Sequence, residues 1–226
     1  KYAFVIGGYQ TPESTDLAAG LDAHVTVRSG AFYKLCGFTR TKGAGTMTYT
    51  GTAYITIEGG SVRDVYGGSL YNHYAGSAAV TVTGGSIATL SAGGDGTRRL
   101  NGDAAITVAG GTVGSITVNN VVGNAAVTLT GGRVGSLAVT YASDAVKKLH
   151  AASGAKNTLA MNTLLCTAAQ REAFAKDFDS VENLAIAYVA PVAFGSGTRA
   201  EDPTSLSRAF ELLRETGGRI VVTGKC

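Results

Sequence analysis

The sequence predicts a mainly β protein: a parallel β-solenoid, or β-helix, of at least five stacked coils, with two short α-helices in the C-terminal third. Three observations predict it. A set of four apolar positions occurs five times at fixed offsets, a glycine-bearing pair closes the first strand of each unit, and 26 of the 32 glycines precede residue 143 in a chain of 226. Self-similarity of this kind marks a repeat architecture, and glycine at that density requires a backbone that turns tightly and often.

The chain opens with Val5-Ile6-Gly7-Gly8, which reads as half a unit. The first strands of the full units are Val25-Thr26-Val27, Ile55-Thr56-Ile57, Val80-Thr81-Val82, Ile106-Thr107-Val108 and Val127-Thr128-Leu129, each followed by a Ser-Gly or Gly-Gly pair. Seven residues after the first apolar residue come Phe32, Val62, Ile87, Val113 and Val134, and three further on come Leu35, Val65, Leu90, Ile116 and Leu137. Unit starts lie 30, 25, 26 and 21 residues apart. The strands and the corner are therefore constant and the return segment varies, as a solenoid allows. Side chains alternate along a strand, so Val80 and Val82 point inward and Thr81 points to water. One unit cannot bury its aliphatic residues alone, but stacked units pile them into one column. An antiparallel sandwich also uses short alternating strands, yet it has no reason to repeat these offsets in every unit.

Beyond Tyr141 the repeat decays. The chain thus divides into β-solenoid coils over 1–142, degenerate coils with a short helix over 143–190, and a capping helix with the first strand of a following module over 191–226. Leu159 with Met161, and Ala185-Ile186-Ala187, are weaker strand candidates on the same stack. Thr167 and Gln170 form a capping box ahead of a helix from about Ala168 to Lys176. Asp202 suits the N-cap of a second helix with Pro203 in its first turn, and Leu206, Ala209, Phe210 and Leu213 share one face. Gly217-Gly218 ends that helix, and Arg219 to Gly224 reads as a buried strand.

Charge is thin, with 19 basic and 16 acidic residues, a net +3 and no basic run. That excludes nucleic acid as a partner. Ala104 to Gly132 carries no charge, but it is not a membrane span. Its apolar residues alternate, and Gly110-Gly111 and Asn119-Asn120 would expose groups that hydrocarbon cannot solvate. The chain begins at Lys1 without a signal-like stretch and reads as a mature product or an excised fragment. Cys36, Cys166 and Cys226 stand far apart, with no CxxC and no His at ligand spacing. This argues against a zinc site and for buried structural thiols at Cys36 and Cys166. No motif calls for a cofactor.

The units Val80-Thr81-Val82-Thr83-Gly84-Gly85-Ser86-Ile87 and Val65-Tyr66-Gly67-Gly68 resemble the repeats of large Gram-positive, gut-type bacterial surface proteins with pectate-lyase-like β-helices. Asp202-Pro203-Thr204 through Gly217-Gly218-Arg219-Ile220-Val221-Val222-Thr223-Gly224 is similar to the helix and strand that open such helices. The resemblance implies a right-handed β-helix in an exported, wall-associated protein. It implies no catalysis: enzymes of that superfamily cluster Asp beside Arg or Lys, whereas the coils offer only Glu58, Asp64, Asp95 and Asp103.

The sequence therefore favours a non-catalytic structural or adhesive segment that contacts glycans or other surface proteins. A polysaccharide lyase or glycoside hydrolase is the alternative. Its carboxylates would have to be Glu58 and Asp64, the only near neighbours in the coils, and Glu58 shares an outward column with Arg28, Thr83, Ala109 and Thr130. His24, His73 and His150 are spread over separate segments and form no triad. The densest aromatic and amide cluster is the loop bearing Tyr66, Tyr71, Asn72, His73 and Tyr74. Its tyrosines could stack on sugar rings while Asn72 and His73 bond hydroxyls; a packed corner is the plainer reading and the favoured one. Asp95 to Arg99 could meet an acidic polymer, although adjacent arginines are more often simply solvated. The column Thr26, Thr56, Thr81, Thr107, Thr128 raises a third reading, an ice-binding face.

Overall fold

The computed structural model describes residues 3–7, 20–38, 46–47 and 50–223. Gly8, Gly224 and Cys226, named above, lie outside the described residues. In chain order the repeated part contains β1 (Phe4–Ile6), β2 (Ala23–Val27), β3 (Ala31–Cys36), β4 (Thr46–Met47), β5 (Thr52–Ile57), β6 (Ser61–Tyr66), β7 (His73–Tyr74), β8 (Ser77–Val82), β9 (Ser86–Ser91), β10 (Ala104–Val108), β11 (Thr112–Asn119), β12 (Ala125–Leu129) and β13 (Arg133–Thr140). There follow α1 (Asp144–Ser153), β14 (Asn157–Asn162), a 3-10 turn at Thr163–Leu165, α2 (Ala168–Ala175), β15 (Ser180–Leu184), β16 (Ile186–Val189), α3 (Leu206–Leu213) and β17 (Arg219–Val222).

The protein is mainly β and is organised around two parallel sheets. The strands sort alternately: a six-stranded sheet runs β1-β3-β6-β9-β11-β13, and a seven-stranded sheet runs β2-β5-β8-β10-β12-β14-β15. Consecutive strands such as β8 and β9 do not pair. Each pairs in parallel with its counterpart in the next repeat, which excludes the antiparallel sandwich. A narrow third ladder joins β4 to β7 and continues through bridges from Tyr74 to Leu100 and from Leu100 to Val121.

Register explains the repeat. Val25, Ile55, Val80, Ile106, Val127, Leu159 and Val181 are successive partners, and all pack in or against one core with the equivalent residues of the six-stranded sheet. Thr26, Thr56, Thr81, Thr107 and Thr128 are likewise in register, and they lie exposed or half-buried on the other face. At each corner the second residue of the glycine pair has a positive φ: Gly30 94°, Gly60 75°, Gly85 74°, Gly111 71° and Gly132 67°. Side chains disfavour that conformation, so glycine is required there by backbone geometry.

The six-stranded sheet stops at β13 while the other continues for two more strands. Between β14 and β15 the helix α2 packs on β13, and its Phe174, 3 % exposed, enters the main core. Thus α2 stands where a further strand would otherwise be expected. Its capping box is complete: the Thr167 side chain accepts from Gln170 N, and the Gln170 side chain accepts from Thr167 N.

Several expectations are corrected. There are three helices rather than two among the described residues. The missed one, α1, has Ser143 as N-cap and Gly154 as its left-handed stop, but buries only Val146 and His150. The N-cap of α3 is Ser205, not Asp202. Thr204 is held in extended pairing by Thr204 N to Tyr188 O at 2.9 Å and Ala190 N to Thr204 O at 3.2 Å, so the helix cannot begin earlier. Ala185–Ala187 does not extend the main stack: β16 pairs with β17, which is half-buried to exposed rather than buried. The division expected at residue 190 therefore falls between two paired strands. Asn119 and Asn120 do not expose their amides. The Asn119 amide bonds Gly93 N at 3.0 Å and Gly94 O at 2.7 Å, and Asn120, in the left-handed region at φ 53°, bonds Gly96 O at 2.8 Å and Ala142 N at 2.6 Å. No helix among the described residues is long and apolar enough to cross a membrane.

Candidate functional site

The aromatic loop is mostly structural. Tyr74 is fully buried, its ring stacks on Phe38 at 4.8 Å, and its hydroxyl donates to Gly51 O at 2.5 Å. Asn72 is buried, with its backbone N–H donating to Ser69 Oγ at 3.3 Å. Tyr66 is buried too, so none of the three presents a face to a sugar; this corrects the glycan-contact expectation at Tyr66, Asn72 and Tyr74 and agrees with the favoured packed corner there. The reason is the third ladder: Tyr74, Leu100 and Val121 occupy one inward column. Each stands six residues before the first apolar residue of the next unit, a signal present in the sequence.

Tyr71 and His73 are half-buried and retain some surface. Tyr66 packs with Cys36 and Leu70, and Tyr71 lies against that cluster. The Lys34 ammonium sits 5.2 Å from the Tyr66 ring centroid and 3.3 Å from an Asp95 oxygen. Burial, seconded by Asp95, pushes the Tyr66 phenol above its ordinary value against the lowering effect of Lys34. His73 Nδ1 accepts from Arg99 N at 3.2 Å. Burial, then the charges of Arg99 and Arg98, hold His73 below the ordinary histidine value.

The coil carboxylates are engaged separately. Glu58 pairs with Arg28 at 3.0 Å on the surface, Asp64 accepts from Thr89 Oγ1 at 2.7 Å, and Asp103 accepts from Asn124 N at 2.7 Å. Among the described residues no three His, Cys, Asp or Glu side chains converge as metal ligands would. Cys36 is buried, and Cys166 is half-buried with its thiol pushed up by burial despite Arg171 and Arg199 nearby. A thiol held protonated is a poor nucleophile.

The sequence reading did not anticipate the groove at the end of the stack. Where the six-stranded sheet ends, a cavity of about 420 Å³ opens between β13, α1 and the segments around Asn157 and Asp179. Tyr141, His150 and Asn157 form a polar cluster in its wall. Asn157 Nδ2 lies 3.0 Å from Tyr141 Oη and 3.3 Å from His150 Nε2, while Asn157 N donates to Asp179 Oδ2 at 2.8 Å. His150 and Asn157 are 7 % and 5 % exposed, and His150 Nδ1 and Asn157 Oδ1 have no hydrogen-bond partner among the described residues. Burial, with the Asp179 charge, raises the Tyr141 phenol against the Asn157 hydrogen bond, so it stays protonated at neutral pH. A second depression of about 570 Å³ adjoins the first and shares Val139, Tyr141 and Lys147 with it.

These residues come from four segments with no common spacing, and only the termination of one sheet brings them together. No family model matches the chain, and no curated protein or solved structure is significantly similar to it.

Proposed function

We propose that this chain is a non-catalytic structural or adhesive segment, a right-handed β-helix within a bacterial cell-surface protein, and that it meets glycans or other surface proteins. The observation that carries the reading is the strand order. Two parallel sheets each gain one strand per repeat, in register, so the molecule grows along one axis by adding units that contact only their neighbours. Such a body is stiff, because every added unit shares its core with the last. Over β8 to β12 the seven-stranded sheet presents Ala79, Thr81, Ala105, Thr107, Ala126 and Thr128, an uncharged surface suited to contact and spacing. Wall association and handedness come from the resemblance of the repeat units.

The test is surface exposure together with glycan binding. Antibody raised against the chain is expected to label intact cells of the source organism, and the purified chain to bind a subset of a glycan array. Labelling only after lysis would overturn the reading.

One observation favours a second reading, an ice-binding face: the five threonines Thr26, Thr56, Thr81, Thr107 and Thr128 stand in unbroken register. The ladder ends at Ala160 and Glu182. A thermal hysteresis measurement decides it, and zero hysteresis removes it.

A further inference from the structure

We propose that the double groove flanking Tyr141 is a binding site for a neutral, hydroxyl-rich carbohydrate long enough to place one ring on either side of that residue. Shape is the first argument. The two depressions, of about 420 and 570 Å³, meet along Val139, Tyr141 and Lys147, and each falls within the range of small-molecule sites. A ligand spanning both is extended and crosses the Tyr141 side chain. The Tyr141 ring and Val139 supply an apolar surface for the C–H face of a sugar.

The second argument is the inventory of polar groups. The Tyr141 hydroxyl accepts from Asn157, and its own proton has no acceptor among the described residues. Lys147 and Lys156, which line the depression of about 420 Å³ with Asp177 and Asp179, enter no ion pair among the described residues. Asp144 lines the adjoining depression, so the double groove carries two cations and three anions, a mixed rim that creates no strong single-sign field and does not select a strongly charged ligand. It offers donors and acceptors side by side, and a hydroxyl both donates and accepts.

The third argument lies beneath the wall. His150 Nδ1 and Asn157 Oδ1 have no hydrogen-bond partner among the described residues, and they lie on two residues that touch each other beside the groove. Hydroxyls can pair with either imidazole tautomer and either orientation of the amide, whereas a carboxylate can only accept. Both atoms are closed to solvent in this structure, so the groove's direct contacts are the phenol proton and the rim side chains, and a ligand that both donates and accepts suits them. A surface rod needs no occupant here, so this site and the rod reading stand or fall separately.

The experiment titrates the intact, isotopically labelled chain with four neutral disaccharides, namely maltose, cellobiose, lactose and chitobiose, and with glucuronate and inorganic sulfate as anionic probes. The readout is the set of backbone amide resonances of Val139, Lys147, Gly154 and Asn157. At least one disaccharide is expected to produce saturable shifts at these amides in the millimolar range. Tyr141→Phe, which deletes only the hydroxyl, is expected to weaken binding about tenfold, the worth of one good hydrogen bond. Lys156→Ala, a change at an exposed side chain, serves as the second variant should Tyr141→Phe disturb folding, and is expected to weaken binding too. No saturation by any disaccharide overturns the proposal. So does saturation by glucuronate or sulfate alone, shifts confined to the Tyr71 and His73 loop, or unchanged affinity in well-folded variants.

Discussion

The middle of the stack and its C-terminal end are built from the same strands and behave as different materials. In the middle, every residue of β10 is paired on both sides with a chemically equivalent residue, Ile106 with Val80 and Val127, Thr107 with Thr81 and Thr128. At the end, β14 still pairs with β12 and β15, but the six-stranded sheet has stopped, and Phe174 of α2 supplies the missing apolar contact. Repetition satisfies backbone, core and surface with one pattern. Where it fails, two adjoining cavities open beside Tyr141, whose hydroxyl proton has no acceptor among the described residues. Binding chemistry is therefore to be sought at the fault in the repeat, and stability in its regular part.

The comparison breaks most visibly in the core. Ile106, 2 % exposed, sits between like residues that cannot collapse into its place, so Ile106→Ala is expected to cost about 3 kcal/mol in urea unfolding at unchanged m-value. A loss under about 1 kcal/mol would mean that the stacked column is not what holds the middle together. Gly111→Ala comes next. Its φ of 71° is strained for a side chain, and an added Cβ would lie 2.7 Å from the Gly84 carbonyl carbon. The same readout should give a loss of about 2 kcal/mol. The comparison substitution Gly154→Ala, at the end of α1, also has a positive φ, but a Cβ there would meet nothing within 4 Å, so it isolates the backbone term. Equal losses at both positions would show that the contact between repeats contributes nothing.

The same contrast explains what the sequence revealed. Parallel stacking was legible because it imposes a chain-wide rule, four apolar offsets and a glycine corner, that local reading can count. The helix α2 was legible from Thr167 and Gln170, whose reciprocal capping is purely local. By contrast, α1 was missed because its buried face is only Val146 and His150, while Leu149 is 44 % exposed and blurs the periodicity. The start of α3 was misplaced because strand pairing at Thr204, a long-range constraint, overrides a good local cap at Asp202. The groove was not legible at all: Tyr141, His150, Asn157 and Asp179 share no spacing, and their meeting depends on where a sheet ends. The aromatic loop was legible in part: composition alone admitted glycan contact beside the favoured packed corner, and the constant offset of Tyr74, Leu100 and Val121 is the signal that marks an inward column.

A smaller effect sharpens the account of that loop. Burial and the two neighbouring arginines lower the proton affinity of His73 in the folded state below the ordinary value of 6.5. Below that value the unfolded chain takes up a proton that the folded chain refuses. The stabilisation is therefore complete at pH above about 6.5 and is lost as pH falls toward the folded-state value. The urea midpoint is expected to drop between about pH 7.5 and about pH 5.5, and His73→Gln should flatten part of that slope. An identical slope in the variant would place the pH dependence elsewhere.

The smallest expected effect tests the outer face of the same strand that gives the largest. Thr107 and Ile106 are adjacent in β10, and only their directions differ. Thr107→Val keeps the β-branched shape that a strand favours and removes one hydroxyl. If that hydroxyl faces water, the change should stay within about 0.5 kcal/mol of the parent. If instead it were enclosed without a strong partner, its removal would stabilise the protein by more than that, because a poorly paired buried hydroxyl is costly. The same variant separates the two readings of the threonine ladder. A contact and spacing surface tolerates one valine among Thr81 and Thr128, whereas an ice-binding array loses its central hydroxyl, and with it most of any thermal hysteresis the parent shows.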